Sequence, residues 1–566
     1  MKSAFNLRRT VKLVYVALLA LTPLVVQAAG PVLPDAGSLL QQAQPSLPPT
    51  PSPSGVDLTI APQGNAKLPM SAPFLVKSLQ IVGNTLFDTA TLHGLVADAE
   101  GTSITLSRLG ELAARITDYY HGHGYPLARA FIPAQTIKSG VVRIEIMEAR
   151  YGKVSVDNSS RVNEPLLAAT LSSLQSGQAI EQTGLEHALL LLSDIPGVEA
   201  AATLKPGDTV GTSDLLVNAT PASAVIGQVA LDNYGNRYTG RERIGGTVSF
   251  IDPLHHGDVL SLNGLSSGRG MDYGRIAYES LLNGLGTRLG GAYSSMHYVL
   301  GGPLSSLDAH GDVQVESLWV KHPLMRSRDS NLYAQVQYDR LQLRDEIDAG
   351  DIHTDRHLDS WTLIVTGDMR DAFLSGAINS WNVGWTEGRT GFDDTAAQLA
   401  DADSAKTRGS FSKWNASLAR LQSLGPNNGL FLALSGQWAD TNLDSSQKMT
   451  AGGPYTVRAY DSGAVSGDTG ILGTLEFRHS LGLVWGGQSQ ATAFVDSAHV
   501  TLNKNTWSGV TGANSATLSG AGLGLNWAGP SLWSARAYVA APIGSTPSVV
   551  ASTSSTRGWV EITRGF

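Results

Sequence analysis

The 566-residue sequence predicts a transmembrane β-barrel of 16 antiparallel strands preceded by two α+β units. Three observations carry this. The chain opens with an export signal, and no later apolar stretch is long enough for a spanning helix, so a spanning structure must be a closed barrel. Two stretches of about 70 to 75 residues share a βααββ pattern. From residue 222 to the end, alternating segments follow one another with no amphipathic helix between them.

The first element is residues 1–28. Lys2, Arg8, Arg9 and Lys12 precede an apolar run over 13–26 that closes on Val26-Gln27-Ala28-Ala29, the layout of a cleaved secretory signal. A membrane anchor is the weaker alternative, because the run is short and contains Pro23. Residues 29–73 follow as a proline-rich linker. Ten prolines between positions 30 and 73, with only Asp35, Asp57 and Lys67 charged, describe an extended tether that builds no core. Within it, residues 34–44 combine a capping residue, helix formers and a following proline, so a short tethered helix is expected there.

Residues 74–148 read as strand (74–84), helices (89–99 and 106–121) and a hairpin (127–133 and 141–147). The second helix carries Leu109, Leu112, Ala113, Ile116 and Tyr120 on one face. Residues 149–221 repeat the pattern more weakly, with strands at 152–156, 198–204 and 213–219 and helices at 164–174 and 183–192.

The barrel is expected over 222–566. Fifteen alternating segments run from 226–233 to 534–540, and the last, 558–566, ends on Phe566. Each is about the 9 to 11 residues, or fewer, that a tilted strand needs to cross a bilayer. A secreted sandwich or propeller is the alternative, but nothing repeats at a blade period.

Composition narrows the function. With no cysteine there is no disulfide, thiolate nucleophile or cysteine-held metal. A formal charge of −8 argues against a nucleic-acid partner. Gly264-Leu265-Ser266-Ser267-Gly268 has the letters of a hydrolase elbow, but that chemistry needs a strand-to-helix turn and here strand leads to strand. Gly520-Ala521-Gly522-Leu523-Gly524 lies inside a strand, and no Gly-Lys-Ser/Thr accompanies it, so no nucleotide site is expected. His121 and His123 fall at a turn without a third ligand. Asp345, Glu346, Asp348, Asp351 and Asp355 read as a solvated loop, with calcium as the alternative. No catalytic residue, metal or cofactor is expected.

One charge stands out. Ala451-Gly452-Gly453-Pro454-Tyr455-Thr456-Val457-Arg458-Ala459-Tyr460 sets an arginine between aromatics in a glycine-rich loop. Its guanidinium cannot lose its proton, so inside a barrel it should seek a wall carboxylate, and Asp496 in Phe494-Val495-Asp496-Ser497-Ala498 is the candidate. The alternative is an arginine in a solvated external loop.

Together these features resemble the TpsB transporters of two-partner secretion, the ShlB/FhaC/HecB type. Gly124-Tyr125-Pro126-Leu127-Ala128-Arg129 and Gly140-Val141-Val142-Arg143-Ile144-Glu145-Ile146 are similar to that family's first periplasmic POTRA domain. Asp232-Asn233-Tyr234-Gly235-Asn236-Arg237-Tyr238-Thr239-Gly240 looks like its first barrel hairpin. Val457-Arg458-Ala459-Tyr460 resembles the tip of the loop that folds into the pore, and Phe494 and Asp496 the strand motif that receives its arginine. Two departures are noted. Ala459 and Ala498 stand where the family carries glycine, so a positive φ at 459 would be costly.

The resemblance implies an outer-membrane pore with periplasmic POTRA domains. It would export a large unfolded TpsA-type exoprotein, an adhesin ahead of a cytolysin, without nucleotide hydrolysis. The helix at 34–44 would plug the pore, and the first POTRA, around Gly124, Tyr125, Pro126 and Arg129, would bind the client. A monomer in outer-membrane lipid and lipopolysaccharide is expected. The rival readings are a barrel insertase of the same superfamily and a passive porin or receptor pore.

Overall fold

The computed structural model describes residues 33–44, 51–53, 55, 57–60, 71–137, 139–550 and 554–566. The expected signal at 1–28 lies outside them. Helix α1 (Ala36–Ala43) is capped by Asp35, whose carboxylate accepts from Ser38 N at 3.0 Å while the Ser38 hydroxyl accepts from Asp35 N, a reciprocal box. Strand β1 (Asp57–Ile60) then comes from the linker.

The first α+β unit contains β2 (Phe74–Val76), β3 (Ser78–Val82), α2 (Thr89–Gly94), β4 (Thr102–Ile104), α3 (Leu106–Gly122), β5 (Arg129–Phe131) and β6 (Val141–Met147). The single strand expected at 74–84 breaks at Lys77, whose N–H donates to Gly140 O at 2.7 Å. As a result β2 pairs with β4, while β3 pairs in parallel with β6. The helix expected at 89–99 stops at Gly94, a poor helix former, and a 3-10 turn at Ala97–Ala99 follows. Leu109, Leu112, Ala113, Ile116 and Tyr120 of α3 are all buried against the sheet, whose order is β3-β6-β5.

The second unit holds β7 (Arg150–Asn158), α4 (Glu164–Thr170), α5 (Gln182–Ser193), β8 (Val198–Pro206) and β9 (Thr212–Pro221). Its sheet order is β1-β8-β9-β7. The linker was expected to join no core, yet β1 adds to this sheet in parallel, Leu58 opposite Ala202 and Ile60 opposite Leu204. The reason is local: between Pro53 and Pro62 every residue retains its N–H, and Leu58, Thr59 and Ile60 suit an extended chain.

The barrel closes in sequence order. Its rising and falling strands are β10 (Val225–Asp232), β11 (Arg243–Ile251), β12 (Val259–Ser266), β13 (Met271–Leu281), β14 (Arg288–Val299), β15 (Ala309–Arg326), β16 (Ser330–Ile347) and β17 (Ile352–Asp371). They continue as β18 (Ala377–Phe392), β19 (Gly409–Ser423) and β20 (Asn428–Ala439). After a small hairpin of β21 (Met449–Ala451) and β22 (Val465–Gly467), the wall resumes with β23 (Thr469–Val484), β24 (Gly487–Thr501), β25 (Ser515–Ala528), β26 (Trp533–Pro542) and β27 (Arg557–Gly565). β27 pairs with β10, giving the predicted 16-strand antiparallel closed barrel.

Several strands are longer than expected, up to 20 residues in β17. On β16 the outward positions Leu332, Val336 and Tyr338 give way to Arg340, Gln342, Arg344 and Glu346. Pairing with β17 continues across that change, so the wall rises beyond the apolar band. Alternation with an apolar face marks only the membrane-crossing part. Leu318, Val336, Trp361, Leu363, Leu475 and Leu523 are exposed on the outer surface, as lipid contact requires. Tyr338 with Trp361, and Trp385 with Trp414, place aromatics at the edge of that band.

The two units join at Glu148. Its carboxylate accepts from Thr85 N at 2.7 Å, Leu86 N at 2.9 Å and Tyr120 Oη at 2.8 Å, and from the Thr85 hydroxyl; Arg150 lies 3.6 Å away. Burial works to raise its pKa, but the hydrogen bonds from Thr85, Leu86 and Tyr120 outweigh it and hold the carboxyl below the usual range. A depressed carboxylate stabilises the fold above its unfolded pKa, and the effect is lost as pH falls through the native value. Glu148→Ala should therefore cost about 3 kcal/mol at neutral pH, by leaving buried donors unpaired. In hydrogen-exchange measurements of the first unit, the difference from wild type should shrink as the pH is lowered below about 4.

Candidate functional site in the barrel lumen

The loop between β20 and β23 folds inward, and Arg458 reaches the wall. Its Nε and Nη2 donate to Asp496 Oδ2 and Oδ1 at 2.8 and 2.7 Å, and its backbone N–H to Asp496 Oδ2 at 3.1 Å. The third guanidinium nitrogen, Nη1, donates to Glu476 Oε1 at 2.6 Å. Arg478 completes the network, donating to Glu476 Oε2 at 2.6 Å. Two arginines thus face two carboxylates. Asp496 is 0 % exposed and Arg458 4 %, and such burial is tolerable because the charges balance and the fork of donors is filled.

Strand register builds this site. Asp496 on β24 lies opposite Thr474 on β23, whose hydroxyl donates to it at 3.0 Å, and Phe494 lies opposite Glu476. The guanidinium carbon stacks 3.4 Å from the Phe494 ring centre. Trp559 Nε1 donates to Arg458 O at 2.7 Å, tying the loop to the last strand. Val457, Ala459 and Tyr460 are buried with Phe494 and Ala498. Tyr455 meets Tyr234 of the first hairpin edge to face, 5.5 Å between centres.

Ala459 does not have a positive φ, so its departure from glycine carries no strain. The close approach falls instead on β25. A Cβ at Gly520 would sit 2.4 Å from the Ala459 Cβ, and one at Gly522 would sit 2.5 Å from the Phe494 ring. The glycines set aside as no nucleotide loop are the seat of this loop. Sequence reading paired Arg458 with Asp496 but missed Glu476, Thr474, Arg478 and Trp559. Charged residues on an inward face of β23 were the available signal.

A second ion cluster holds α1 inside the barrel. Arg356 donates to Asp345 Oδ2 and Asp444 Oδ2, each at 2.6 Å, and to Asp35 Oδ2 at 3.2 Å. Ala36 N donates to Asp345 Oδ1 at 2.7 Å, and Gln41 Nε2 to Ser446 O at 2.8 Å. Leu39 and Leu40 pack against Met271, Met296 and Leu341 of the wall. Gly37 lies against the Ser445–Gln447 turn, where a Cβ would meet Ser446 N at 2.4 Å. Asp345, expected in a solvated loop, instead faces the lumen, because strand pairing continues to Ile347 and alternates its side chains.

The other candidates separate. Gly124 has φ +88° and its carbonyl accepts from Gln182 N at 2.9 Å, joining the first unit to the second. Tyr125 stands edge-on to Phe87, Pro126 follows it, and Arg129 opens β5. His121 and His123 do not converge: their rings bond Ala128 O at 3.0 Å and Tyr119 O at 2.7 Å. Ser266 lies on β12 and donates to Asp272, in a strand-to-strand hairpin.

A polar-walled closed barrel carrying an inward loop, an internal helix and two α+β units defines an outer-membrane pore with POTRA domains. The chain belongs to the haemolysin secretion/activation family ShlB/FhaC/HecB, whose model matches residues 211–527. Residues 74–149 match the ShlB-type POTRA domain. The heme/hemopexin transporter protein HuxB of Haemophilus influenzae (strain 86-028NP) is 29% identical over 529 residues, covering 90% of this chain and 91% of the relative. The outer membrane transporter CdiB of Escherichia coli is 25% identical, with 83% and 79% covered. A solved structure of Escherichia coli CdiB superposes with a TM-score of 0.69 at 23% identity, covering 90% of this chain and 94% of the other. The protein is therefore an outer-membrane transporter of two-partner secretion: a barrel that exports an exoprotein received from periplasmic POTRA domains.

Arg458→Ala would leave Asp496 and Glu476 buried with one arginine between them and should cost about 3 to 5 kcal/mol. Thermal unfolding of the barrel, followed by its heat-dependent gel mobility, should record the loss. Gly520→Val should displace the loop without removing any charged group, and should lower secretion, as should Arg458→Ala.

Proposed function

We propose that the described arrangement is the resting state of the transporter, with α1 as plug and Arg458, Asp496 and Glu476 as the lock that sets the inward loop. Residues 1–28 act as the export signal and 29–73 as the tethered plug. Residues 74–148 and 149–221 are the two POTRA domains, and 222–566 the barrel. The client is a TpsA-type exoprotein, an adhesin ahead of a cytolysin. The transporter works as a monomer in lipid and lipopolysaccharide.

The observation that carries this reading is Arg356, one cation bridging the plug through Asp35, the wall through Asp345 and the inner loop through Asp444. Without it three carboxylates would face one another across the contact, and the plug's amino end would be repelled. The lumen beside the plug is lined by polar groups such as Gln228, Asn263, Arg275, Asp339, Lys413 and Asn415, which suit passage of an extended polar chain.

Sheet edges support a client site on the first domain. Among the described residues β5 pairs with β6 alone, whereas the corresponding edge of the second domain, β8, is covered by β1. An extended client segment can add to β5, beside Arg129, gaining main-chain hydrogen bonds with little sequence demand. Release of the plug and folding of the client outside the cell then make export directional.

Arg356→Ala should raise the frequency of open steps in planar-bilayer recordings over wild type. Unchanged conductance would remove the plug assignment. Because the chain has no cysteine, single-cysteine variants are clean probes. A cysteine at Phe131 should cross-link to a client stalled in transit, and one at Thr203, beneath β1, should not; the reverse pattern would move the client site to the second domain.

A further inference from the structure

Above Tyr338 and Trp361, the outward-facing positions of β14 to β17 carry four histidines: His297, His310, His353 and His357. Two of them are closed pairs. His297 Nδ1 lies 2.9 Å from Asp312 Oδ1, and His357 Nδ1 lies 2.9 Å from Asp393 Oδ1, both hydrogen-bond distances.

The other two are arranged differently. Register sets His310 of β15 opposite Glu346 of β16, and Glu346 opposite His353 of β17, so the three form one row across neighbouring strands. The 3-10 turn Asp348–Gly350 brings Asp348 back over that row. His310 Nε2 is 3.6 Å from Asp348 Oδ2 and 3.9 Å from Glu346 Oε2, and His353 Nδ1 is 3.9 Å from Glu346 Oε2. The ligand atoms of His310, Glu346 and Asp348 all lie within 4.8 Å of one another.

These separations are too long for hydrogen bonds. They suit a shared ion: donors held about 2.1 Å from a tetrahedral metal stand about 3.4 Å apart, so His310 would close on each carboxylate by a few tenths of an ångström, and the two carboxylates, within 4.8 Å of each other, would close by at most about 1.4 Å. An imidazole nitrogen beside carboxylates selects zinc-class ions over calcium or magnesium, which take oxygen ligands.

We infer that His310, Glu346 and Asp348 bind a divalent transition-metal ion of the zinc class on the extracellular rim, with His353 turning in as the fourth ligand. The ion neutralises two carboxylates and ties the tips of β15, β16 and β17 together. It lies on the outer side of the wall segment whose inner side, at Asp345, holds the plug helix. The site does not depend on the plug reading, since its ligands all belong to the barrel wall and its turn.

The test is cobalt(II) added to the full-length protein in detergent, without a polyhistidine tag and after chelator treatment. Wild type should take up one equivalent with the visible absorption of a tetrahedral site, and zinc should displace it. His310→Ala and Glu346→Gln should lose the absorption, while His297→Ala should keep it. Heat-dependent gel mobility verifies that each barrel is folded. His310→Cys should restore binding with a thiolate-to-cobalt band. Cobalt spectra equal in wild type and His310→Ala, or no band in His310→Cys, would overturn the site.

Discussion

In hydrocarbon no water is available to a backbone N–H or C=O, so a sheet that spans a membrane must have no free edge. That requirement makes β27 return to β10 and fixes the barrel before any side chain is considered. It also separates two surfaces. Outward positions meet lipid and are apolar, and inward positions can carry charge. Arg458, Asp496 and Glu476 would be untenable on the lipid side; in the lumen each finds its counter-charge.

The lumen is consequently an electrostatic assembly resting on a rigid frame. Arg458 is served from β23 and β24, with the last strand adding a hydrogen bond through Trp559, so the loop's position depends on three wall strands. Arg356 draws together segments more than 300 residues apart in the chain, Asp35 and Asp345 among them. On the proposed plug-and-lock reading, opening the pore exchanges these partners for others, and an arriving polar chain can compete where an apolar one could not.

Outside the membrane the same backbone chemistry works the other way. Sheets in the two α+β units keep edges, and an edge is a place to add a strand. One such edge is taken by β1, which couples the linker to the second domain. The coupling continues at Arg326, which bonds Asp194 of that domain at 2.7 Å and the carbonyl of Pro53 in the linker at 2.8 Å. Linker, second domain and barrel are therefore in contact through a few polar groups at the periplasmic rim.

The sequence by itself determined the strand number, the paired α+β units, the short helix and the Arg458–Asp496 pair. Each of these is written in period-2 or 3.6-residue patterning, in a capping residue followed by helix formers, or in a charge that an apolar setting cannot leave unpaired. Strand lengths were not legible, because pairing beyond the membrane needs no apolar alternation. Tertiary structure alone decided that Glu476 shares Arg458, that Gly520 and Gly522 make room for Ala459 and Phe494, and that His310, Glu346 and His353 form one row. These facts depend on which residues of different strands stand opposite one another. Register is set by the closure of the whole sheet, and no local stretch of sequence contains it.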